Sequence, residues 1–165
     1  MNAIGRGLVM SLVASVALAH PHFNKTVTAT VGSNVEVTIT YNTTPANETH
    51  AANAKVGEFV TPRRPVLKLS GELKSEKATL PAGEYTIGVV KNAEKDWSLA
   101  LYPGRLQRGE TPDPAKAIRL DSTFSADHGT AAHMLIDITP GHGRLEGKAV
   151  LTLHFGSLFL EGVLA

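Results

Sequence analysis

Two-residue alternation dominates this chain and limits what it can become. Val27, Ala29 and Val31 alternate with Thr26, Thr28 and Thr30, and after Gly32-Ser33-Asn34 the pattern resumes. Val35, Val37, Ile39 and Tyr41 then alternate with Glu36, Thr38 and Thr40. Successive side chains on a strand point to opposite faces, so a period of two gathers the apolar residues on one side. Two such runs around a short Gly/Ser/Asn turn predict an antiparallel hairpin with threonines on its outer face. Counting outward from the turn sets residue 27 near 39 and residue 23 near 43. Further strands are expected at 66–69, 78–80, 85–90, 97–101, 134–138 and 149–155, the last continuing through Phe159. Pro81-Ala82-Gly83, residues 91–96 and Pro140-Gly141-His142-Gly143 supply turn chemistry between them. Only 45–55 and 112–118 have room for short helix, and 103–117 reads as a long surface loop. Many short strands with Gly/Pro turns predict an all-β fold, an antiparallel β-sandwich of jelly-roll type, in one domain.

The first nineteen residues have the parts of a secretory signal peptide. Arg6 gives the positive charge, residues 8–18 the apolar run, and Ala17-Leu18-Ala19 the small-residue cleavage site. Cleavage after Ala17 also satisfies the small-residue rule, through Ser15 and Ala17. The run is shorter than the about 20 apolar residues of a comfortable membrane span, and no later segment is apolar enough to cross a bilayer. The division expected is therefore a signal peptide over 1–19 and a β-domain over 20–165, secreted or periplasmic. Residues 1–19 contain one cation and no acid, which leaves Lys+Arg and Asp+Glu balanced at 15 each. A balanced surface without a basic face or tail argues against nucleic acid or anionic membrane as a dedicated partner. The chain has no cysteine, so an exported metal site must use histidine, carboxylate or the terminal amine.

Several segments carry a family likeness: residues 35–41, Leu67-Lys68-Leu69, Pro81-Ala82-Gly83-Glu84-Tyr85-Thr86, Asp96-Trp97-Ser98-Leu99 and 147–153. Together they resemble the secreted bacterial domains of unknown function called DUF2911-like, most of all in the Pro-Ala-Gly-x-Tyr turn followed by a strand containing Trp. The chain departs from that pattern at 56–65, which lacks the family's Trp-Arg-x-Gly-Ala-Asn type segment, and at His154, where tryptophan is common. The resemblance implies a β-sandwich and export, and it transfers no catalytic residue.

All seven histidines fall after residue 19: His20, His22, His50, His128, His133, His142 and His154. If cleavage follows Ala19, the chain begins with histidine, whose amine and imidazole chelate a transition metal together. His20 and His22 lie on one side of an extended segment, and the hairpin register brings that end alongside 44–46, a few residues before His50. An amine with two or three imidazoles is a nitrogen-rich set suited to the tetragonal preference of Cu(II). It is similar to the histidine brace of copper polysaccharide monooxygenases, although only an N-terminal histidine on a β-sandwich matches. The motif in which a third-position histidine binds copper through backbone nitrogens is excluded, because Pro21 has no N–H to lose.

His133 alternates against Met134, Ile136 and Ile138, and His154 against Leu151, Leu153 and Phe155, so both face away from the apolar rows. Antiparallel pairing would let them share a sheet face, with Asp127 and Asp137 as carboxylates able to orient a ligand. His128 and His142 read as surface residues. Ser70, Ser75 and Ser157 lack a nucleophile-elbow context. The scattered carboxylates do not suggest glycosidase chemistry. Trp97, Tyr85 and Tyr102 read as core. The sequence thus predicts a secreted copper-binding domain, a carrier or a mononuclear oxidative centre, with His20, His22, His50 and His133 as ligands. The alternative is a non-catalytic envelope binding domain without metal.

Overall fold

The computed structural model of the protein describes residues 22–32, 34–75 and 77–165, with the backbone alone for His50. The expected signal peptide over 1–19, its cleavage site and His20 lie outside the described residues.

The alternating hairpin forms in the expected register. β1 (Asn24–Val31) and β2 (Val35–Asn42) pair antiparallel with Val27 opposite Ile39. Val37, Ile39 and Tyr41 are buried, while Thr26, Thr28 and Thr30 are exposed. The chain continues through α1 (Thr49–Asn53), β3 (Phe59–Val60), β4 (Val66–Leu69), β5 (Leu73–Lys74) and β6 (Thr79–Leu80). The long pair β7 (Gly83–Ala93) and β8 (Asp96–Pro103) follows, then β9 (Ile118–Arg119) and β10 (Ser122–Ser125). β11 (Ala131–Pro140), β12 (Ala149–Gly156) and β13 (Leu158–Leu164) complete it.

Among the described residues the fold is all-β and its ladders are antiparallel. One sheet runs β1-β2-β4-β7-β8-β9, with β3 also on β7; a second runs β10-β13-β12-β11; β5 and β6 form a small ribbon. The helical expectation at 45–55 reduces to the five residues of α1, and that at 112–118 to one 3-10 turn, Pro114–Lys116. Phe159 does not continue the strand begun at Ala149. Gly156, at φ 62°, reverses the chain, and Phe159 returns on β13 opposite His154.

One large core cluster serves both sheets, and a smaller one gathers Phe59, Val90, Ala100, Tyr102 and Leu106. Val37, Ile39, Leu67, Ile87 and Leu99 from the larger sheet join Met134, Ile136, Leu151, Leu153 and Leu160 from the smaller. Trp97, Tyr85 and Tyr102 are buried, as their alternating strands predict. Backbone hydrogen bonding also passes between the sheets at two corners. Beyond β2, Ala46 N–H donates to the Ala132 carbonyl (2.9 Å) and Met134 N–H to the Thr44 carbonyl (2.8 Å), framing a bridge between Pro45 and His133. At the other side, β9 pairs with β8, Leu120 N–H donates to the Leu99 carbonyl (2.9 Å), and the same run of chain pairs with β13 as β10.

Two local features set testable limits. At Gly88 a Cβ would stand 2.5 Å from Phe59 Cζ and 2.6 Å from the Val60 carbonyl oxygen. Gly88→Ala therefore lifts β3 from β7, and urea unfolding is expected to show a loss of about 2 kcal/mol, in the range of core overpacking. The Tyr85 hydroxyl donates to the Pro81 carbonyl (2.7 Å), closing the Pro-Ala-Gly-x-Tyr turn, and burial raises its pKa above the ordinary 10.0. The unfolded phenol ionises first as pH rises. Its contribution is thus complete below about pH 10 and is lost as pH climbs from there through the folded pKa. Tyr85→Phe should lower stability at neutral pH and flatten the alkaline limb of stability against pH; an unchanged alkaline limb would refute this.

Candidate functional site

Residues from both sheets line a cleft of about 690 Å³ beside their shared core. Its floor continues the core: Val89 from β7 and Leu153 and Phe155 from β12, all buried, with the half-buried Leu158 from β13. Phe59 and Leu106, both buried, complete the apolar surface. Polar side chains stand at the rim.

One rim is an interruption of an edge. β3 and β4 pair in succession along the same side of β7, Val60 opposite Val89 and Val66 opposite Thr86. Residues 61–65 cover the stretch that Ile87 and Gly88 alone cover on β7, so the surplus chain loops outward. Both feet of the loop grip one residue: Thr61 Oγ1 donates to the Ile87 carbonyl (2.7 Å), and Ile87 N–H donates to the Pro65 carbonyl (2.8 Å). At the apex, Arg63 and Arg64 both adopt left-handed backbone, φ 57° and 50°. Both line the cleft, and among the described residues neither guanidinium has a hydrogen-bond or ion-pair partner. The two rim carboxylates are turned onto their own loops. Glu58 accepts from Lys55 N–H (2.8 Å) and Glu110 from Gln107 N–H (2.8 Å).

The opposite rim is the histidine corner. Past the end of β1 the pairing continues, with Thr43 N–H donating to the Phe23 carbonyl (2.8 Å) and Phe23 N–H to Thr43 Oγ1 (3.0 Å). His22 is therefore next to Thr44 and lines the cleft with Thr44 and Pro45. Pro45 bridges to His133, where β11 bulges away from β12 and turns onto residues 44–46. α1, which carries His50, borders the same cleft through Ala51. The His50 side chain and all of His20 lie outside the described residues. Among the described residues no group of three or more His, Asp or Glu side chains is arranged to hold a metal ion.

The remaining histidines lie elsewhere. His154 pairs with Leu135 on β11 and does not share a register with His133, because the bulge carries His133 out of the β11–β12 ladder. His154 meets the Phe159 ring edge-on at 5.3 Å, His128 stacks on that ring at 4.1 Å, and His154 Nε2 is buried without a hydrogen-bond partner. Asp137 accepts from Ile138 N–H and so serves its own backbone. His142 is exposed in the turn before the 3-10 helix Gly143–Leu145.

Comparison with protein-family models, curated proteins and solved structures gave no match. The cleft therefore stands on its own chemistry. Sequence reasoning passed over Arg63 and Arg64, although a basic pair between two prolines, Pro62-Arg63-Arg64-Pro65, is a visible signal of a held loop. It also passed over the anchors of α1. The Glu48 carboxylate accepts from Ser157 N–H (2.6 Å) and from Ser157 Oγ–H (3.0 Å), across 109 residues of chain. Lys91 Nζ donates to the Ala52 and Ala54 carbonyls (3.3 and 3.0 Å) and lies 5.6 Å from the Trp97 ring centroid. Hydrogen bonds to a charged carboxylate contribute more than neutral ones, so Glu48→Ala is expected to cost about 2 kcal/mol. Hydrogen exchange at the Ser157 amide should accelerate in that variant; unchanged protection would show that the clamp does not hold the turn.

Proposed function

We propose that the chain is an exported copper-binding β-domain whose ligands are the amine and imidazole of His20 with His22, His50 and His133. It acts as a carrier or as a mononuclear oxidative centre. The observation that supports this reading is the backbone arrangement beside His22. His22 lies beside Thr44, Pro45 bridges to His133, and the helix bearing His50 borders the same space. A terminal histidine supplies two nitrogens by itself, so a brace needs only one further imidazole, and three histidine side chains need not meet. Copper held this way would supply one-electron chemistry, and an open coordination position beside an apolar cleft is what an oxidative role requires. The resemblance to exported DUF2911-like domains enters the same proposal and bears on the β-sandwich and on location, with no catalytic residue carried over.

Protein processed to begin at His20 should take up one equivalent of Cu(II) with a nitrogen-coordinated EPR signal. A residue added before His20 should weaken binding at least tenfold, as should His22→Ala. Absence of the signal, or an identical signal from the extended chain, overturns the reading. Turnover of ascorbate and peroxide by the processed protein, lost in His20→Ala, would mark an oxidative centre; copper binding without turnover would mark a carrier.

A further inference from the structure

We propose that the cleft is also a binding site for an amphipathic carboxylate, with the anionic group on Arg63 and Arg64 and the apolar body against the inter-sheet floor. This stands independently of any metal at the histidine corner.

The size and lining fit a small molecule. The volume of about 690 Å³ falls within the range of ligand pockets, and the lining combines apolar side chains with polar and charged ones. Leu153, Phe155 and Val89 belong to the shared core, so an apolar body lying there would extend the contact between the sheets.

The rim decides the sign of the head group. The cleft carries two arginines and two glutamates, which looks balanced by charge alone. Hydrogen bonding breaks the balance. Glu58 and Glu110 already accept from backbone amides of their own loops, whereas the donors of Arg63 and Arg64 are unengaged among the described residues. Both carboxylates keep their charge and spare lone pairs, but each already has a loop amide as partner, so of these four side chains only the arginines have no hydrogen-bond or ion-pair partner among the described residues. A guanidinium offers a planar fork of donors that matches a carboxylate in a bidentate manner, and partial exclusion of water strengthens the pair.

The loop adds a second, independent observation. Two successive non-glycine residues in left-handed backbone are costly, and such strain persists where surrounding structure holds it and collects at ligand clamps. Here the feet of the loop are both fixed to Ile87, and prolines flank the arginine pair. The strained apex thus fixes the backbone from which the exposed Arg63 and half-buried Arg64 project.

The test is calorimetric titration of the processed, full-length protein in EDTA with decanoate, decanol and decyltrimethylammonium. Decanoate should bind one to one and at least tenfold more tightly than decanol, with decyltrimethylammonium weakest. The double variant R63Q/R64Q should lose at least tenfold for decanoate and leave decanol unchanged, and its thermal unfolding should match the parent because neither side chain holds a partner. Methyl resonances of Leu106, Leu153 and Leu158 should shift on adding decanoate. Equal affinity for decanoate and decanol, a preference for the cation, undiminished decanoate binding by the double variant, or shifts confined to other methyls would each overturn the proposal. Because EDTA removes metal, none of these outcomes bears on copper binding at His20.

Discussion

At two corners of this fold one stretch of chain hydrogen-bonds to both sheets, and the position of everything else follows from that. Residues 44–46 leave β2 and pair with β11; residues 118–125 pair first with β8 and then with β13. Apolar burial alone pulls two sheets together without fixing their relative rotation, since it has no direction. Hydrogen bonds do, because a displaced corner would leave buried N–H and C=O groups unpaired. The cleft is lined by residues of both sheets. It opens beside the first corner, which is why His22, Pro45 and α1 border it.

α1 illustrates how such a rim is held. Five residues cannot sustain a helix in water, because the cost of nucleation exceeds what a single turn returns. Glu48 fixes the start of α1 by reaching the β12–β13 turn, and Lys91 fixes its end by donating to the last carbonyls. Gly156 is required at that turn both for its positive φ and because a Cβ there would run into the Glu48 carboxylate. Both anchors come from strands that also supply core residues, so the helix bearing His50 moves only if the sheets move. Whatever binds at this rim meets a backbone set by the whole domain.

How much of this was legible in the sequence depends on the range of the interaction. The first hairpin was readable down to its register, because Val27, Ile39 and their neighbours alternate without a break and a one-residue slip would expose every apolar side chain. The same register placed the segment around His22 beside 44–46. β3 and β10 were not readable. Phe59–Val60 is too short to show a period, and Ser122–Ser125 carries only Phe124 as an apolar marker. The split of β3 from β4 was hidden for a related reason: a single edge interrupted by Thr61-Pro62-Arg63-Arg64-Pro65 has no period across the gap. The strand ending at Gly156 misled in the opposite sense, since apolar residues continue through Phe159 and only the glycine marks the reversal. Glu48 and Ser157 are 109 residues apart, and no local pattern in either announces the other.

The arginine loop shows why a local rule broken by a sequence deserves a physical reading. Glycine would adopt the backbone of residues 63 and 64 at little steric cost, whereas each arginine there costs on the order of 1–3 kcal/mol. No hydrogen bond or ion pair of the two side chains offsets that cost among the described residues. The feet of the loop are fixed, because Thr61 holds the Ile87 carbonyl and Pro65 holds the Ile87 N–H, and Ile87 is itself paired with Leu101 on β8. With the proposed carboxylate site, an acceptor entering the cleft would meet two arginines whose backbone the sheet edge has already placed, so the ordering cost left to binding is that of the long side chains themselves. That cost is smaller for the half-buried Arg64 than for the exposed Arg63, which makes Arg64 the stronger of the two contacts.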